Sequence, residues 1–419
     1  MAAMEVPGPS PCSSEFLYYF LNTSSSLYLG IDNVLQTPMK PYASLYKRTP
    51  SSQKAHLLLL ERWNVPWPLL YASSGAENNG KPKVAVNHVR GSNKVTIKAL
   101  MVKQLRMLGR EHTENAYQHP ALPETYLLVP QSQDDERHEL IKAHQTRSGP
   151  WIAKPTSGAH GDGIRVFPCA SEAAAYVDAS AAPNDQPAAK EDGAKTKRRP
   201  IRPKPRPMWL VQRYVEEPLL YRGNRKFDVR ALVCVRHDGK AFWYTDWVAR
   251  VCGSAFDMAK LDDRYAHITN HCVQVQGEAY GEHEEGNEVF REDVRVYLEE
   301  SRGRSAGSEL FRRIEQGMHE AARDLVAALR ENADFSADAP CASFQLLGLD
   351  LIATTDGRVL LLEANGSPAV AERMIPEAAE AVVNLALEPL RRDILGLGDG
   401  ASKEHAKQNS QSNPHFMEL

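Results

Sequence analysis

Residues 344–368 read FQLLGLDLIATTDGRVLLLEANGSP, in which two apolar runs flank a turn at residues 355–357. Apolar runs of strand length on either side of an Asp-Gly turn predict a pair of antiparallel strands. Polar residues that interrupt such runs need a partner, because an unpaired charge is costly to bury. The interruptions in this hairpin therefore indicate a binding site.

The interruptions are oxygen-bearing side chains: Asp350, Glu363 and Asn365. The hairpin would bring Asp350 near the other two at one end, and Glu363 and Asn365 would share a face because side chains alternate along a strand. Mg²⁺ takes oxygen ligands from one or two carboxylates together with phosphates. The pattern predicts a magnesium-nucleotide site; the alternative is a strand-end charge and a turn acid.

Composition limits the classes of partner. With 419 residues, the chain is long enough for two or three domains with substantial cores. Its formal charge of −3 gives no overall attraction to nucleic acid or to acidic membranes, so neither is an expected partner. Any acidic partner would have to bind a local basic patch.

The spacing of the cysteines and the lack of a recognisable targeting signal indicate a cytoplasmic protein. The six cysteines lie far apart without CxxC spacing, which argues against a zinc site and a disulfide framework. The N-terminal residues lack a charged segment followed by a long apolar one, and no apolar run approaches membrane-spanning length. We therefore expect a soluble protein in a reducing cytosol.

Composition shifts and the helix and strand patterns predict four parts: an N-terminal domain over 1–80, a small part over 81–150, a large part over 151–395 and a flexible tail over 396–419. A basic, Pro-rich insert over about 183–207 is predicted to be a disordered loop between two strands. Its KTKRRPIRPKPRP end leaves a nuclear signal or nucleic-acid arm open as a weaker alternative.

A glycine-rich hairpin is predicted over residues 151–167, WIAKPTSGAHGDGIRVF. Gly161 and Gly163 would let the backbone approach phosphates, and Lys154 would supply a positive charge. The loop lacks the GK[ST] ending of a P-loop and lies between strands rather than before a helix. We interpret it as a loop that covers phosphates, the alternative being a common turn.

The next clusters also suit a nucleotide. The segment WLVQRY over 209–214 predicts a strand that leads into a linker, where Gln212 and Val215 would lie against an adenine. In NRKFDVRALVCV, over 224–235, charged side chains alternate and would therefore face one way. They are Lys226, Asp228 and Arg230.

Two further segments extend this set. Arg250 ends a strand-like run that would lie beside the previous strand, although a surface arginine is the alternative. Arginines in such a cluster would grip phosphate oxygens bidentately. In HITNHCVQ, over 267–274, the two histidines lack a third zinc ligand nearby, so Thr269 and Asn270 are predicted to contact ribose, phosphate or substrate.

The order of these clusters resembles the tubulin-tyrosine ligase family, over about residues 81–368. The motifs in order are WIAKPTSGAHGDGI, VQRYVEEPLL, RKFDVRALVCV, HITNHCVQ and FQLLGLDL with LLEANGSP. The resemblance implies an α/β (α+β) chain of the ATP-grasp fold, with mixed and antiparallel sheets, flanking helices and a smaller N-terminal domain that contacts tubulin. NHCVQ and EEGNE look more like the tyrosine-adding members than their polyglutamylating relatives.

The resemblance also implies site residues, cofactors and partners. ATP would be contacted by Lys98, Lys154, Gln212, Val215, Lys226, Asp228, Thr269 and Asn270, the transferred phosphate by Arg230 and Arg250, and Mg²⁺ by Asp350, Glu363 and Asn365. The implied reaction adds free L-tyrosine to the C-terminal glutamate of detyrosinated α-tubulin, in the α/β-tubulin dimer, through an acyl phosphate. Two alternatives stay open, namely a polyglutamylase or glycylase of the same family and an inactive tubulin-binding module. The resemblance is compatible with a cytoplasmic protein associated with microtubules.

Overall fold

The structure, a computed structural model, describes residues 15–72, 84–109, 117–156, 161–181, 208–336, 339–397 and 414–419. Within these ranges the chain forms three sheets with helices on their faces, so the predicted α/β class is confirmed. The predicted insert over 183–207 lies outside the described residues. No helix in the described ranges is long and apolar enough to cross a membrane.

The first sheet is parallel and has the strand order β14-β4-β3-β1-β2. Its strands are β1 (Phe16–Leu21), β2 (Tyr46–Arg48), β3 (Leu57–Leu60), β4 (Ala85–Val86) and β14 (Ala342–Ser343). All four leucines of β3 are buried, as expected where both faces of a parallel sheet are covered. This sheet joins strands from both sides of residue 80, and the predicted domain division stays a prediction.

The second sheet is antiparallel, has the order β5-β8-β6-β7 and contains the glycine-rich hairpin. Its strands are β5 (Thr125–Leu128), β6 (Trp151–Pro155), β7 (Arg165–Phe167) and β8 (Trp209–Arg213). Helices α6 (Arg137–Thr146) and α7 (Ala170–Ala181) cover its outer face, where Tyr126, Trp151 and Val211 are buried. The alternate residues therefore point to the opposite, inner face.

The third sheet has eight strands and is centred on β10. Its strands are β9 (Leu220–Tyr221), β10 (Arg225–Val235), β11 (Ala241–Tyr244), β12 (Val248–Ala255), β13 (Glu288–Phe290), β15 (Gln345–Ala353), β16 (Val359–Asn365) and β17 (Phe416–Glu418). The predicted hairpin over 344–368 is present as β15 and β16, which pair antiparallel.

Helices cover both faces of the third sheet. One face packs mainly on α5 (Lys98–Gly109), α10 (Arg291–Arg302) and α11 (Arg304–Asn332), and the other on α1 (Ser26–Gln36), α12 (Ile375–Val382) and α13 (Glu388–Leu395). A π-helical turn, Val383–Leu387, joins the last two. The shorter helices are α2 (Tyr42–Leu45), α3 (Trp67–Ala72), α4 (Asn93–Thr96), α8 (Arg264–His267) and α9 (His271–Gln274).

The end of the chain corrects one expectation. A flexible tail is predicted over 396–419, of which residues 398–413 lie outside the described residues; at the end of this range, however, β17 pairs with β11, and Leu419 N–H donates to Ala241 O at 3.0 Å. Phe416 is buried against Tyr244, with ring centroids 5.2 Å apart. An open sheet edge and a buried aromatic ring stabilise this strand, which the polar composition of the preceding residues obscured.

Candidate active site

A cleft lies between the inner face of the second sheet and the third sheet. It contains two adjoining cavities: the Lys154 cavity, which β6, β8, β10, β12, β15 and β16 line, and the Asn365 cavity beside it. Ile164, Asn270 and Glu363 line both. Every residue predicted for the site lines one of these cavities except Gly163.

Strand β10 positions its charged residues through simple alternation. Val229, Ala231 and Val233 point into the core beneath α5 and α11, whereas Leu232 and Cys234 point to the other face. Lys226, Asp228 and Arg230 lie on that second face, nearer the start of the strand, where the face borders the cleft. The predicted shared direction of these three side chains is therefore present in the structure.

The predicted metal ligands lie together on β15 and β16. Asp350 is the register partner of Glu363, and Asn365 Nδ2 donates to Glu363 Oε1 at 3.3 Å. The register shifts beside this pair, because Leu361 rather than Leu362 pairs with Leu351. The bulge re-aims the strand, so that Leu362 and Glu363 both line the cleft.

Two arginines neutralise Asp350. Arg230 Nε donates to Asp350 Oδ1 at 2.6 Å, and Arg250 Nη2 lies 2.9 Å from Oδ2. Arg250 also forms a bidentate pair with Asp228, its direct partner across β12 and β10, with Nε at 2.8 Å from Oδ1. Burial alone would raise the pKa of Asp350, but Arg230 and Arg250 outweigh it and hold the pKa well below its usual range.

Glu363 has a cation of its own. Lys98, at the start of α5, places Nζ 2.6 Å from Glu363 Oε2. Mg²⁺ prefers oxygen ligands, and one corner supplies the carboxylates of Asp350 and Glu363 together with the amide oxygen of Asn365. The donor set therefore fits Mg²⁺. If the metal took these carboxylates, Lys98 and Arg230 would be available to phosphate or substrate oxygens.

Lys154 has no such partner within the part of the chain that the structure describes. Its side chain lines the cavity at 8% exposure, and none of the residues that the structure describes offers Nζ a hydrogen bond or an ion pair. Burial lowers the pKa of Lys154 to about 8; the negative charge of Glu363 opposes this shift, and the nearby Lys98 and Lys226 add to it. A buried, unpartnered cation facing a cavity fits an anionic ligand such as a phosphate.

Lys226 is held by a hydrogen-bonded network that the sequence analysis missed. Its Nζ donates to Tyr214 Oη at 3.0 Å and to His267 O at 2.8 Å. His267 Nε2 donates to the carbonyls of Asp257 and Lys260, at 3.2 and 3.0 Å, so its Nδ1 accepts from Tyr214 Oη–H at 2.8 Å. Burial lowers the pKa of Lys226 to about 8. His267 is therefore a positioning residue of this network.

The remaining predicted residues lie around the cleft in different ways. Thr269 lines the Lys154 cavity, and Asn270 also caps α9, where its Oδ1 accepts from Cys272 N–H at 3.0 Å. Gly161 has φ +78° and contacts Val273, so a side chain there would collide at 2.7 Å. Gly163 instead packs beside Trp209 and lines neither cavity, because its position after the loop turns it toward the outer face.

Apolar side chains that the sequence analysis did not select complete the Lys154 cavity. They are Ile152, Ile164, Ile268, Ile352 and Leu362. Two of these could have been predicted from the alternation of side chains along a strand, since Ile152 lies two residues from Lys154 and Ile352 lies two residues from Asp350. Leu362 was not, because it depends on the bulge. Together these side chains provide surfaces on which a planar base can lie.

The charges that converge on the two cavities leave a positive excess. Among the described residues, six cations line them: Lys98, Lys154, Arg213, Lys226, Arg230 and Arg250. Four carboxylates oppose them: Asp162, Asp228, Asp350 and Glu363. The cleft thus combines an apolar part, a cationic part and a carboxylate corner, an arrangement that fits base, phosphates and metal in turn.

The sequence profile of the tubulin-tyrosine ligase family matches residues 76–392, which contain both cavities. The chain belongs to the tubulin-tyrosine ligase family. The ATP-grasp fold expected from the resemblance is that of the family, and the mixed sheets agree with it. The family assignment from sequence is therefore confirmed, whereas the role of each site residue stays a prediction.

Three similar proteins are named as polyglutamylases. The human probable tubulin polyglutamylase TTLL2 is 26% identical over 321 residues, which cover 74% of this chain and 46% of the relative. The probable tubulin polyglutamylase TTLL9 of Bos taurus is 27% identical over 304 residues, covering 68% and 63%. The probable alpha-tubulin polyglutamylase Ttll1 of Tetrahymena thermophila is 25% identical over 333 residues, covering 74% and 73%. The chain thus spans about half to two thirds of the length of the first two.

Replacing Lys154 by methionine is expected to separate nucleotide binding from stability. Lys154→Met should weaken the binding of Mg²⁺-ADP at least about tenfold, because a phosphate loses a buried charge partner. It should also raise the free energy of unfolding without nucleotide by about 1–3 kcal/mol at pH 7, because an unpaired buried cation is removed. Isothermal titration calorimetry and urea denaturation measure the two effects, with the exposed Lys142→Met as the matched control.

The same lysine predicts a pH dependence. The unfolded chain keeps the Lys154 proton up to the ordinary pKa of 10.5, whereas the folded chain releases it near 8. Between these values the unfolded state binds more protons, so wild-type stability should rise with pH, and less steeply in Lys154→Met. An equal rise in both proteins, or normal nucleotide binding by the variant, would contradict the assignment.

Proposed function

We propose that the protein is an ATP-dependent carboxylate–amine ligase that adds glutamate to glutamate side chains in the acidic tails of tubulin. One observation carries the proposal: the unpartnered Lys154 and the carboxylate corner face the same cleft as Arg230 and Arg250. The polyglutamylase names of the relatives support glutamate as the donor. The proposed setting is the cytoplasm, with tubulin or microtubules as the partner.

The reaction needs an activated carboxylate, because an amine cannot expel oxide from a carboxylate. ATP and Mg²⁺ would supply a transferable phosphoryl group and the neutralisation of its charge. The acceptor carboxylate oxygen bonds to the terminal phosphorus as the bond to ADP breaks. The donor amine then attacks the carbonyl carbon, phosphate leaves, and the proton lost by the amine passes to the departing phosphate.

The residues of the chain have distinct tasks in this scheme. Lys154 and Lys226 hold phosphate oxygens, and their burial strengthens these contacts because little water competes. Asp350, Glu363 and Asn365 would hold Mg²⁺. Arg250, fixed by Asp228 and Asp350, presents a guanidinium whose orientation is set before substrate arrives. Such fixed cations stabilise charge that develops during transfer without reorganising.

The lining of the Asn365 cavity supports glutamate as the amino acid that donates the amine, because glutamate carries a carboxylate in its side chain. The polar lining of the cavity combines the carboxylates of Asp162 and Glu363 with Lys98, Arg230, Asn270, Asn365 and Ser367. Within the described ranges, no aromatic side chain lines this cavity. Cations and amides suit the side-chain carboxylate of glutamate, whereas a tyrosine ring gains most from apolar and aromatic contacts.

Tyrosine addition to the C-terminal glutamate of α-tubulin is the second candidate. The segments NHCVQ and EEGNE favour it, since they resemble the tyrosine-adding members of the family. Both candidates use the same nucleotide cleft and differ in the donor and in the acceptor carboxylate. The identity of the donor amino acid therefore distinguishes the two candidates.

One assay separates the candidates. The purified protein is incubated with Mg²⁺-ATP, detyrosinated tubulin and labelled glutamate, tyrosine or glycine in parallel, and modified tails are sequenced by mass spectrometry. We expect incorporation of glutamate through side-chain amides. Tyrosine at the C-terminus would favour the second candidate and contradict the first. Absence of all incorporation, together with failure to bind Mg²⁺-ATP, would contradict both candidates and favour an inactive tubulin-binding module.

A further inference from the structure

The loop that follows β16 forms one side of the Asn365 cavity. This loop, residues 366–370, comes directly after Asn365, and its Ser367 and Ala369 line the cavity. Its residues belong to no helix or strand of the described structure, so their position depends on contacts with other parts of the chain. The partners of the loop backbone therefore determine the shape of this side of the cavity.

Two of these contacts come from the third sheet. Gln345 on β15 donates from Nε2 to Gly366 O at 2.9 Å. Arg230 on β10 donates from Nη1 to Ala369 O at 2.9 Å, while its Nε and Nη2 bind Asp350. The loop thus holds the one guanidinium nitrogen of Arg230 that Asp350 does not hold.

The other contacts come from two serines at the start of α1, which lie 343 and 344 positions away in sequence. Ser25 Oγ donates to Pro368 O at 2.5 Å and also caps α1, because it accepts from Tyr28 N–H at 3.3 Å. Ser26 Oγ donates to Val370 O at 3.2 Å and accepts from Val370 N–H at 3.1 Å. Both polar groups of the Val370 backbone are therefore paired with one hydroxyl group. Replacing Ser26 would release the loop without removing the helix cap.

We propose that Ser26 is a positioning residue for the amino acid that donates the amine. Its two bonds to Val370 fix the loop, and the loop in turn places the Ala369 carbonyl that holds Arg230. A guanidinium held in one orientation binds a carboxylate more tightly, because less rotational freedom is lost on binding. The inference rests on the proposed function, which places the donor amino acid in the Asn365 cavity.

Steady-state kinetics of the full chain with Mg²⁺-ATP, detyrosinated tubulin and varied labelled glutamate test the inference. Ser26→Ala removes both bonds to Val370, so the KM for glutamate should rise about fivefold or more. The kcat should change little, because Arg230 keeps its bonds to Asp350. The Kd of Mg²⁺-ADP, measured by calorimetry, should stay the same, because the loop does not line the Lys154 cavity.

Three further variants and a second measurement complete the test. Ser26→Thr keeps the hydroxyl group and should restore the wild-type KM. Ser44→Ala is a matched control, because Ser44 is an exposed serine that bonds to Pro41 O and lines neither cavity. Ser26→Cys is close to serine in size but pairs weakly, so it should raise the KM even if Ser26→Ala fails to fold. Hydrogen exchange, followed by mass spectrometry, should be faster over residues 366–370 in Ser26→Ala than in the wild type and Ser26→Thr.

The outcomes separate the inference from a general effect on folding. A merely structural role for Ser26 would lower thermal stability, kcat and nucleotide affinity together without a selective rise in the KM for glutamate. That result, or unchanged hydrogen exchange over residues 366–370 in Ser26→Ala, would overturn the inference alone. A wild-type protein that binds Mg²⁺-ADP but incorporates no glutamate would overturn the proposed function, and the inference with it.

Discussion

Replacing Glu363 by glutamine is expected to abolish ligation while leaving the fold intact. The change preserves shape but removes one negative charge from the corner that Glu363 forms with Asp350 and Asn365. A magnesium site that loses one of two carboxylates loses most of its affinity, and turnover should fall about a hundredfold or more. Incorporation of labelled amino acid into tubulin at saturating Mg²⁺ measures the loss.

The effect should come from the site and not from a general change in charge. Glu309→Gln is a matched control, because Glu309 is an exposed acid of α11 that also pairs with a cation, Arg312. It should keep full activity and unchanged thermal unfolding. More than half of normal turnover in Glu363→Gln would show that Glu363 is not a metal ligand. The variant should also bind Mn²⁺ more weakly in the presence of ADP, a measurement that does not depend on turnover.

Replacing Arg250 by methionine is expected to have the largest effect on stability. Arg250 holds Asp228, which is 3% exposed and has no other hydrogen-bond partner among the described residues. Asp350 keeps Arg230 when Arg250 is removed. Leaving one carboxylate buried and unpaired costs about 3–5 kcal/mol, which urea denaturation at pH 7 would detect.

A double variant distinguishes lost pairing from lost packing. Arg250→Met with Asp228→Asn removes the unpaired charge and should recover most of the stability. A double variant no more stable than the single one would contradict the unpaired-charge explanation.

Local alternation made much of the site predictable. Lys226, Asp228 and Arg230 lie at every second position of one strand, and the structure places all three at the cleft. Alternation requires only that the strand be recognised, and the apolar run after Arg230 identifies it. The same reasoning identified Glu363 and Asn365 on one face of β16.

Contacts between distant segments were not predictable in this way. The Tyr214–His267–Lys226 network joins a linker, a short helix and a strand, and no local pattern relates them. Gly163 is the opposite case. The glycine-rich loop predicts that it belongs to the site, but it lines neither cavity.

The sequence by itself determined the family, the α/β class and the strands that carry cations and carboxylates, because periodicity and motif order are local properties of a chain. Only the tertiary structure decided which charges neutralise one another and which remain free. Arg230 and Asp350 are 120 residues apart in sequence yet 2.6 Å apart in space, whereas Lys154, in the same cleft, has no partner among the described residues. The physical reason is that the free energy of a buried charge depends on its neighbours across sheets, and these are set by strand register and packing.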